Sequence, residues 1–206
     1  MYFDQTVSSL EQKLSEPLPG LLSHRKYMHA ARLNHTSGIP ENVRKSAVLI
    51  LFYPMNDRTY FPLILRPKYD GRHGGQMALP GGKAEPSDES LIRTALREAQ
   101  EEIGIKAIDV KVIGELTDVY IPISNYLVHP VVGYMNYKPD FFPDAREVDK
   151  IYFTDVEDLI KGDDIVSKEI LIGKQRILVP GFEIQDSWVW GATSLILSEL
   201  SDVLRS

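Results

Sequence analysis

Residues 79–105, LPGGKAEPSDESLIRTALREAQEEIGI, leave a chain few ways to fold. A Pro-Gly-Gly turn and a polar loop lead into a helix with more acid on one face than packing requires. Ser87 suits a helix N-cap, and Asp88 and Glu89 behind it suit the positive end of the helix dipole. Leu91, Ala95, Ala99 and Ile103 recur every four residues as an apolar stripe, and Gly104 stands where a left-handed cap ends the helix. Glu98, Glu101 and Glu102 stand at i, i+3 and i+4, so their carboxylates converge on one patch. Like charges so placed cost a few tenths of a kcal/mol per pair on an exposed helix. A hard divalent cation removes that cost. Mg²⁺ in particular takes one or two carboxylates together with substrate phosphates. Arg97 can reach Glu101 at i+4 and fix its rotamer. A solvated acidic face is the plainer reading of such a run. The Gly-Gly turn upstream and Arg97 beside the acids favour a functional one.

Upstream, AVLILFYP is a short β-branched run of the kind a buried strand shows. Asn56-Asp57 marks a turn, and TYFPLILR reads as its hairpin partner. The loop that follows, RPKYDGRHGGQMALPGG, holds glycines whose backbone can approach a ligand. Arg66, Lys68, Arg72 and His73 in it are donors suited to phosphate oxygens. At the N-terminus, Phe3, Val7, Leu10 and Leu14 predict a helix ended by Pro17 and Pro19. His24, His29 and His35 lie in a polar segment without acidic partners in helical register, and surface positions are expected for them. Residues 1–37 thus read as an accessory helix and linker, and 38–206 as the main domain. Beyond the acidic helix, strand-like runs break at Gly114, Pro122 and Pro130. Further hairpins are expected around Gly173-Lys174 and Pro180-Gly181, before a closing amphipathic helix.

Composition limits the partners. A net charge of −6 leaves no basic surplus for a nucleic-acid backbone. It does not disfavour small anionic substrates, since a metal supplies local positive charge. No cysteine is present, which excludes disulfides and thiolate metal sites. No apolar run approaches bilayer length, so no membrane partner is expected. The first dozen residues lack a signal-peptide pattern, and a cytoplasmic enzyme is the expectation.

The acidic helix also resembles a known family. The Nudix hydrolases carry G-x5-E-x7-R-E-U-x-E-E-x-G-U, where U is bulky and aliphatic. Gly82 supplies the first glycine, and residues 97–105, REAQEEIGI, match the second half with Ala99 at U. The interval from Gly82 to Arg97 is one residue longer than the pattern, so the middle acid is Asp88 or Glu89. The longer run GGKAEPSDESLIRTALREAQEEIG is similar to the coenzyme A pyrophosphatase subfamily. So is the upstream set Leu63, Arg66, His73, Gly75, Gln76, Pro80, Gly81 and Gly82, with Ile64 and Leu79 departing from it. WGATSLIL near the C-terminus resembles that subfamily too.

The resemblance implies an α/β fold, a Nudix-type α/β/α sandwich with a mixed central sheet. It implies hydrolysis of a diphosphate bond in coenzyme A or its derivatives, giving 3′,5′-ADP and (acyl-)4′-phosphopantetheine. Mg²⁺ or Mn²⁺ would be held by Glu98, Glu101 and Glu102 with a glycine carbonyl at Gly81 or Gly82. Arg97 would orient these acids, and Glu147, in a segment resembling (N/D)xxEV, would be the general base or a further ligand. Arg66, Lys68, Arg72, His73, Gly75, Gln76 and Tyr126 would bind substrate, with Tyr120, Ser124 and Asn125 also placed at the cleft. A homodimer is the assembly common to the fold. The alternatives are a Nudix hydrolase for ADP-ribose, NADH or a nucleoside triphosphate, or a non-catalytic sensor, against which the intact acid set argues.

Overall fold

A computed structural model describes residues 1–33, 38–68, 74–162, 165–172, 175–185 and 187–206. The chain opens with α1 (Phe3–Lys13), α2 (Leu21–His24) and α3 (Ala30–Leu33). Strands β1 (Arg44–Met55), β2 (Arg58–Leu65), β3 (Met77–Ala78) and β4 (Gly81–Lys83) lead to α4 (Leu91–Ile103). Then come β5 (Lys111–Glu115), β6 (Val119–Ile121), β7 (Tyr126–Tyr134), β8 (Lys150–Asp155) and α5 (Val156–Lys161). The chain closes with β9 (Val166–Ile172), β10 (Gln175–Ile184), β11 (Ser187–Trp190) and α6 (Ala192–Arg205).

Strand β1 has no face to give to water, and this sets the layers. Ala47, Leu49 and Leu51 pack with Ala95, Ala99 and Ile103 of α4. The alternate residues Ile50 and Phe52 pack with Leu197 and Leu200 of α6 and Leu10 of α1. A strand buried on both faces belongs in the middle of a sheet covered by helices. It runs parallel to β7, and antiparallel to β4 over its first half and to β2 over its last residues, so the central sheet is mixed. β9, β10 and β11 form a second, antiparallel sheet. No helix among the described residues is long and apolar enough to cross a membrane.

The β1–β2 turn falls on Asn56 and Asp57, both at positive φ, the conformation a two-residue hairpin needs. Other expectations are corrected. Helix α4 is capped by Ser90, whose side chain accepts from the Arg93 N–H at 3.2 Å, and not by Ser87. Pro130 does not break its strand; β7 runs through it. The Pro130 carbonyl accepts from Leu116 N–H on one edge of β7, so its missing N–H faces that same edge. There β7 changes neighbours from β6 to β5, and no donor is required. Pro180 and Gly181 likewise lie inside β10. The turn between β10 and β11 comes later, where Gln185 takes a positive φ. Gly181 serves packing instead: a side chain there would overlap the Trp188 indole and the Val189 carbonyl.

The N-terminal segment is built into the core. Leu10 is fully buried, and Lys13 donates to the Leu204 carbonyl at 3.3 Å. His24, expected on the surface, is buried with its Nε2 at 3.1 Å from Glu199. His35 lies outside the described residues.

Candidate functional site

Glycine lets the acidic helix approach the sheet. Gly81 lies against the Ala47 carbonyl and the Val48 backbone at φ 153°, where any side chain would collide. Its N–H donates to the Glu102 carboxylate at 2.7 Å. At Gly82 an added methyl group would fall on the Glu98 carboxylate, so that carboxylate occupies the space of the missing side chain.

Glu102 is only 1% exposed. Burial pushes its carboxyl up to about 7, against the opposing pull of Arg66 and the Gly81 N–H, and the charges of Glu98 and Glu147 push the same way as burial. Arg66 sits 3.2 Å from Glu102 and also donates to the Gly81 carbonyl at 3.1 Å. Burial also raises Glu98, outweighing the hydrogen bond from Arg97.

Arg97 joins the acids. It meets Asp88 at 2.9 Å, Glu98 and Glu101 each at 3.0 Å, and the Lys83 carbonyl at 3.0 Å. Its bond holds the Asp88 carboxyl far below the usual carboxylate range. Of the two acids left open by the sequence, Asp88 is therefore the one inside this network, while Glu89 is exposed beside Arg93. Glu147 is exposed on the turn before β8, near enough for its charge to act on Glu98 and Glu102. That turn is tied to α4 by the Asp144 N–H, which donates to the Glu102 carbonyl at 3.0 Å. Among the described residues no three acidic or histidine side chains already converge on a single metal position; Arg66 pairs with Glu102, and Arg97 with Glu98 and Glu101.

Gly81 and Gly82 border a cleft of about 1020 Å³, whose lining does not include Glu98, Glu101 or Glu102. Arg66, Gln76, Gly82 and Tyr126 line it. The Arg44 guanidinium lies 4.2 Å from the centre of the Tyr126 ring and braces it. Lys68 is exposed and Gly75 adjoins its side chain, and neither forms the cleft wall. Arg72 and His73 lie outside the described residues. Much of its lining is apolar, including Ile121, Ile170, Ile177, Val179 and Trp190. His29 and Arg32 also line the cleft and were not foreseen as site residues. No local pattern marks them; Arg32 is tied to the cleft wall by its bond to the Tyr120 carbonyl of β6.

The NUDIX domain family model matches residues 43–171. The uncharacterised Nudix hydrolase NudL of Yersinia pestis is 31% identical over 204 residues, covering 97% of this chain and 94% of that one. Among solved structures, the Nudix hydrolase RenU of M. smegmatis has a TM-score of 0.53 at 18% identity, covering 79% of this chain and 86% of its own. A MutT/nudix family protein of Enterococcus faecalis has the same TM-score at 16% identity, covering 89% of this chain and 72% of its own. These two share the fold. With the NUDIX match over most of its length and the NudL likeness over nearly all of it, the chain belongs to the Nudix family and is a Nudix hydrolase.

Proposed function

We propose that this hydrolase cleaves the diphosphate bond of coenzyme A or one of its derivatives, giving 3′,5′-ADP and (acyl-)4′-phosphopantetheine. One observation carries the reading: Gly81 and Gly82, which lie against the Glu102 and Glu98 carboxylates, also line a roomy cleft whose lining is largely apolar. A nucleoside diphosphate bearing an extended, mostly uncharged arm matches such a cleft in size and polarity. Arg66 and Gln76, two of the residues that resemble the coenzyme A subfamily, lie on its wall.

Nudix hydrolases generally use divalent metal ions, and the donor set here fits Mg²⁺ or Mn²⁺. Glu98, Glu101 and Glu102 are hard oxygen donors, and the first and last are desolvated and repel each other. These three, with the Gly82 carbonyl, would hold the cation. When bound, it supplies positive charge against the phosphoryl oxygens and acidifies water. Arg97 orients Glu98 and Glu101 and keeps the acid cluster from repelling itself apart. Arg66 has a carboxylate and a carbonyl as partners, and a phosphate oxygen can take the place of either. Glu147, exposed and adjacent in charge to the cluster, is the group to take a proton from the attacking water. Tyr126, stiffened by Arg44, offers a flat face to an adenine or to the arm.

The test is to incubate the protein with Mg²⁺ and, separately, coenzyme A, ADP-ribose and NADH, and to identify products by mass. Release of 3′,5′-ADP from coenzyme A, abolished by EDTA and by Glu102→Gln, is the expected result. Preferential cleavage of ADP-ribose or NADH would keep the chemistry and replace the substrate. Cleavage of none of them would defeat the proposal.

A further inference from the structure

The cleft contains a cation that the described residues do not neutralise. Arg32, on α3, lines the wall and donates to the Tyr120 carbonyl at 2.5 Å. No carboxylate pairs with it among the described residues, and burial pushes its guanidinium below its usual value with nothing opposing. Arg66, by contrast, has Glu102 at 3.2 Å. A charge drawn from water without a counter-ion is unfavourable, and an anionic ligand relieves it.

Two neighbours make this a built position. The Arg32 backbone N–H donates to the His29 carbonyl at 2.9 Å and also reaches the ring Nδ1 at 3.3 Å, which favours the neutral tautomer with its proton on Nε2 as a donor. Burial and the charge of Arg32 both lower the His29 pKa, so the neutral form prevails near pH 7. Ser124, in the turn that follows Tyr120, is one of the residues lining the cleft; it is 9% exposed, and its hydroxyl is buried without a partner. A buried hydroxyl without a partner calls for a ligand group or water. Arg32, His29 and Ser124 thus bring one cation and two neutral donors to the lining of the same cleft.

We infer that Arg32, His29 and Ser124 form a second anion subsite, which binds a phosphate monoester carried by the substrate apart from its scissile diphosphate. This rests on the cleft being the substrate cleft; in coenzyme A the group would be the 3′-phosphate of the ribose. Arg32 and His29 precede the residues matched by the family model, so the N-terminal segment contributes specificity that the matched domain lacks.

The experiment compares kcat/KM for coenzyme A and 3′-dephospho-coenzyme A in the wild type, Arg32→Gln and Arg32→Lys. Glutamine keeps an N–H for the Tyr120 carbonyl while removing the charge. The wild type is expected to favour the phosphorylated compound by about tenfold or more, the size of one charge-assisted contact. Arg32→Gln should bring that ratio toward one, through KM, and Arg32→Lys should retain part of it. Calorimetric titration with 3′,5′-ADP and with 5′-AMP reads the subsite without turnover. The 3′-phosphate should tighten binding in the wild type, and Arg32→Gln should remove that advantage. No preference in the wild type, or an equal loss for both members of each pair in Arg32→Gln, would overturn the subsite. Preference for 3′,5′-ADP with coenzyme A left uncleaved would uphold the subsite and defeat only the proposed hydrolysis.

Discussion

Gly82 offers a one-atom test of the site. Its φ is not in the left-handed region, so alanine there meets no backbone strain, and the new methyl group displaces the Glu98 carboxylate instead. Gly82→Ala is expected to lower kcat by about 100-fold, the effect of moving a functional group by roughly an ångström. Its thermal melting should stay within a few degrees of wild type. Unchanged kcat would show that Glu98 need not sit where it does. The i,i+4 spacing announced the Arg97–Glu101 pair, because helix geometry is local. It could not announce that Arg97 also takes Asp88, which comes from the loop ahead of the helix. Nor could it announce Arg66 on Glu102, a pair made only when β2 and α4 meet across the sheet.

The start of α4 shows how a good local signal loses to a tertiary one. Ser87-Asp88-Glu89 has the composition of a helix start, but Asp88 accepts from Arg97, Thr94 and the Glu85 N–H, which holds the loop in another course. The helix then begins at Leu91 with Ser90 as its cap. Ser90→Ala should cost about 1 kcal/mol in urea unfolding, as loss of an N-cap does, whereas Ser87→Ala should cost close to nothing. Equal costs would contradict the assigned cap. In β10, Pro180-Gly181 has turn composition for a different reason. The glycine clears space for Trp188, a demand that comes from the neighbouring strand.

A buried carboxylate of α6 helps to fasten the N-terminal segment. Glu199 is fully buried and accepts from the Gly20 N–H at 3.0 Å and the Thr117 hydroxyl at 2.6 Å, with His24 at 3.1 Å. Burial alone would raise its pKa, but the bonds from His24 and Thr117 outweigh burial and hold it below the usual 4.5. A carboxyl lowered in this way adds stability that is present above its unfolded value and lost as pH falls through the folded one. Glu199→Gln should therefore melt below the wild type at pH 7, and the gap should narrow as pH drops under 4.5. A gap that stays constant with pH would sink this assignment. The latch seats α2, the helix that precedes His29 and Arg32 in the chain.

Local periodicity carried much of this protein. The acidic helix with its glycine end, the clustered acids, the Asn56-Asp57 hairpin, the two-faced burial of β1 and the family itself could be read from residues a few positions apart. Such features repeat with the pitch of a helix or the pleat of a strand, so neighbours along the chain suffice. Only the tertiary structure decided which charges are neutralised and which are left for a ligand. His24 meets Glu199 across 175 positions, and Arg32 reaches the Tyr120 carbonyl across 88. The state of a buried charge depends on every group packed around it, and those groups come from segments that no local spacing brings together.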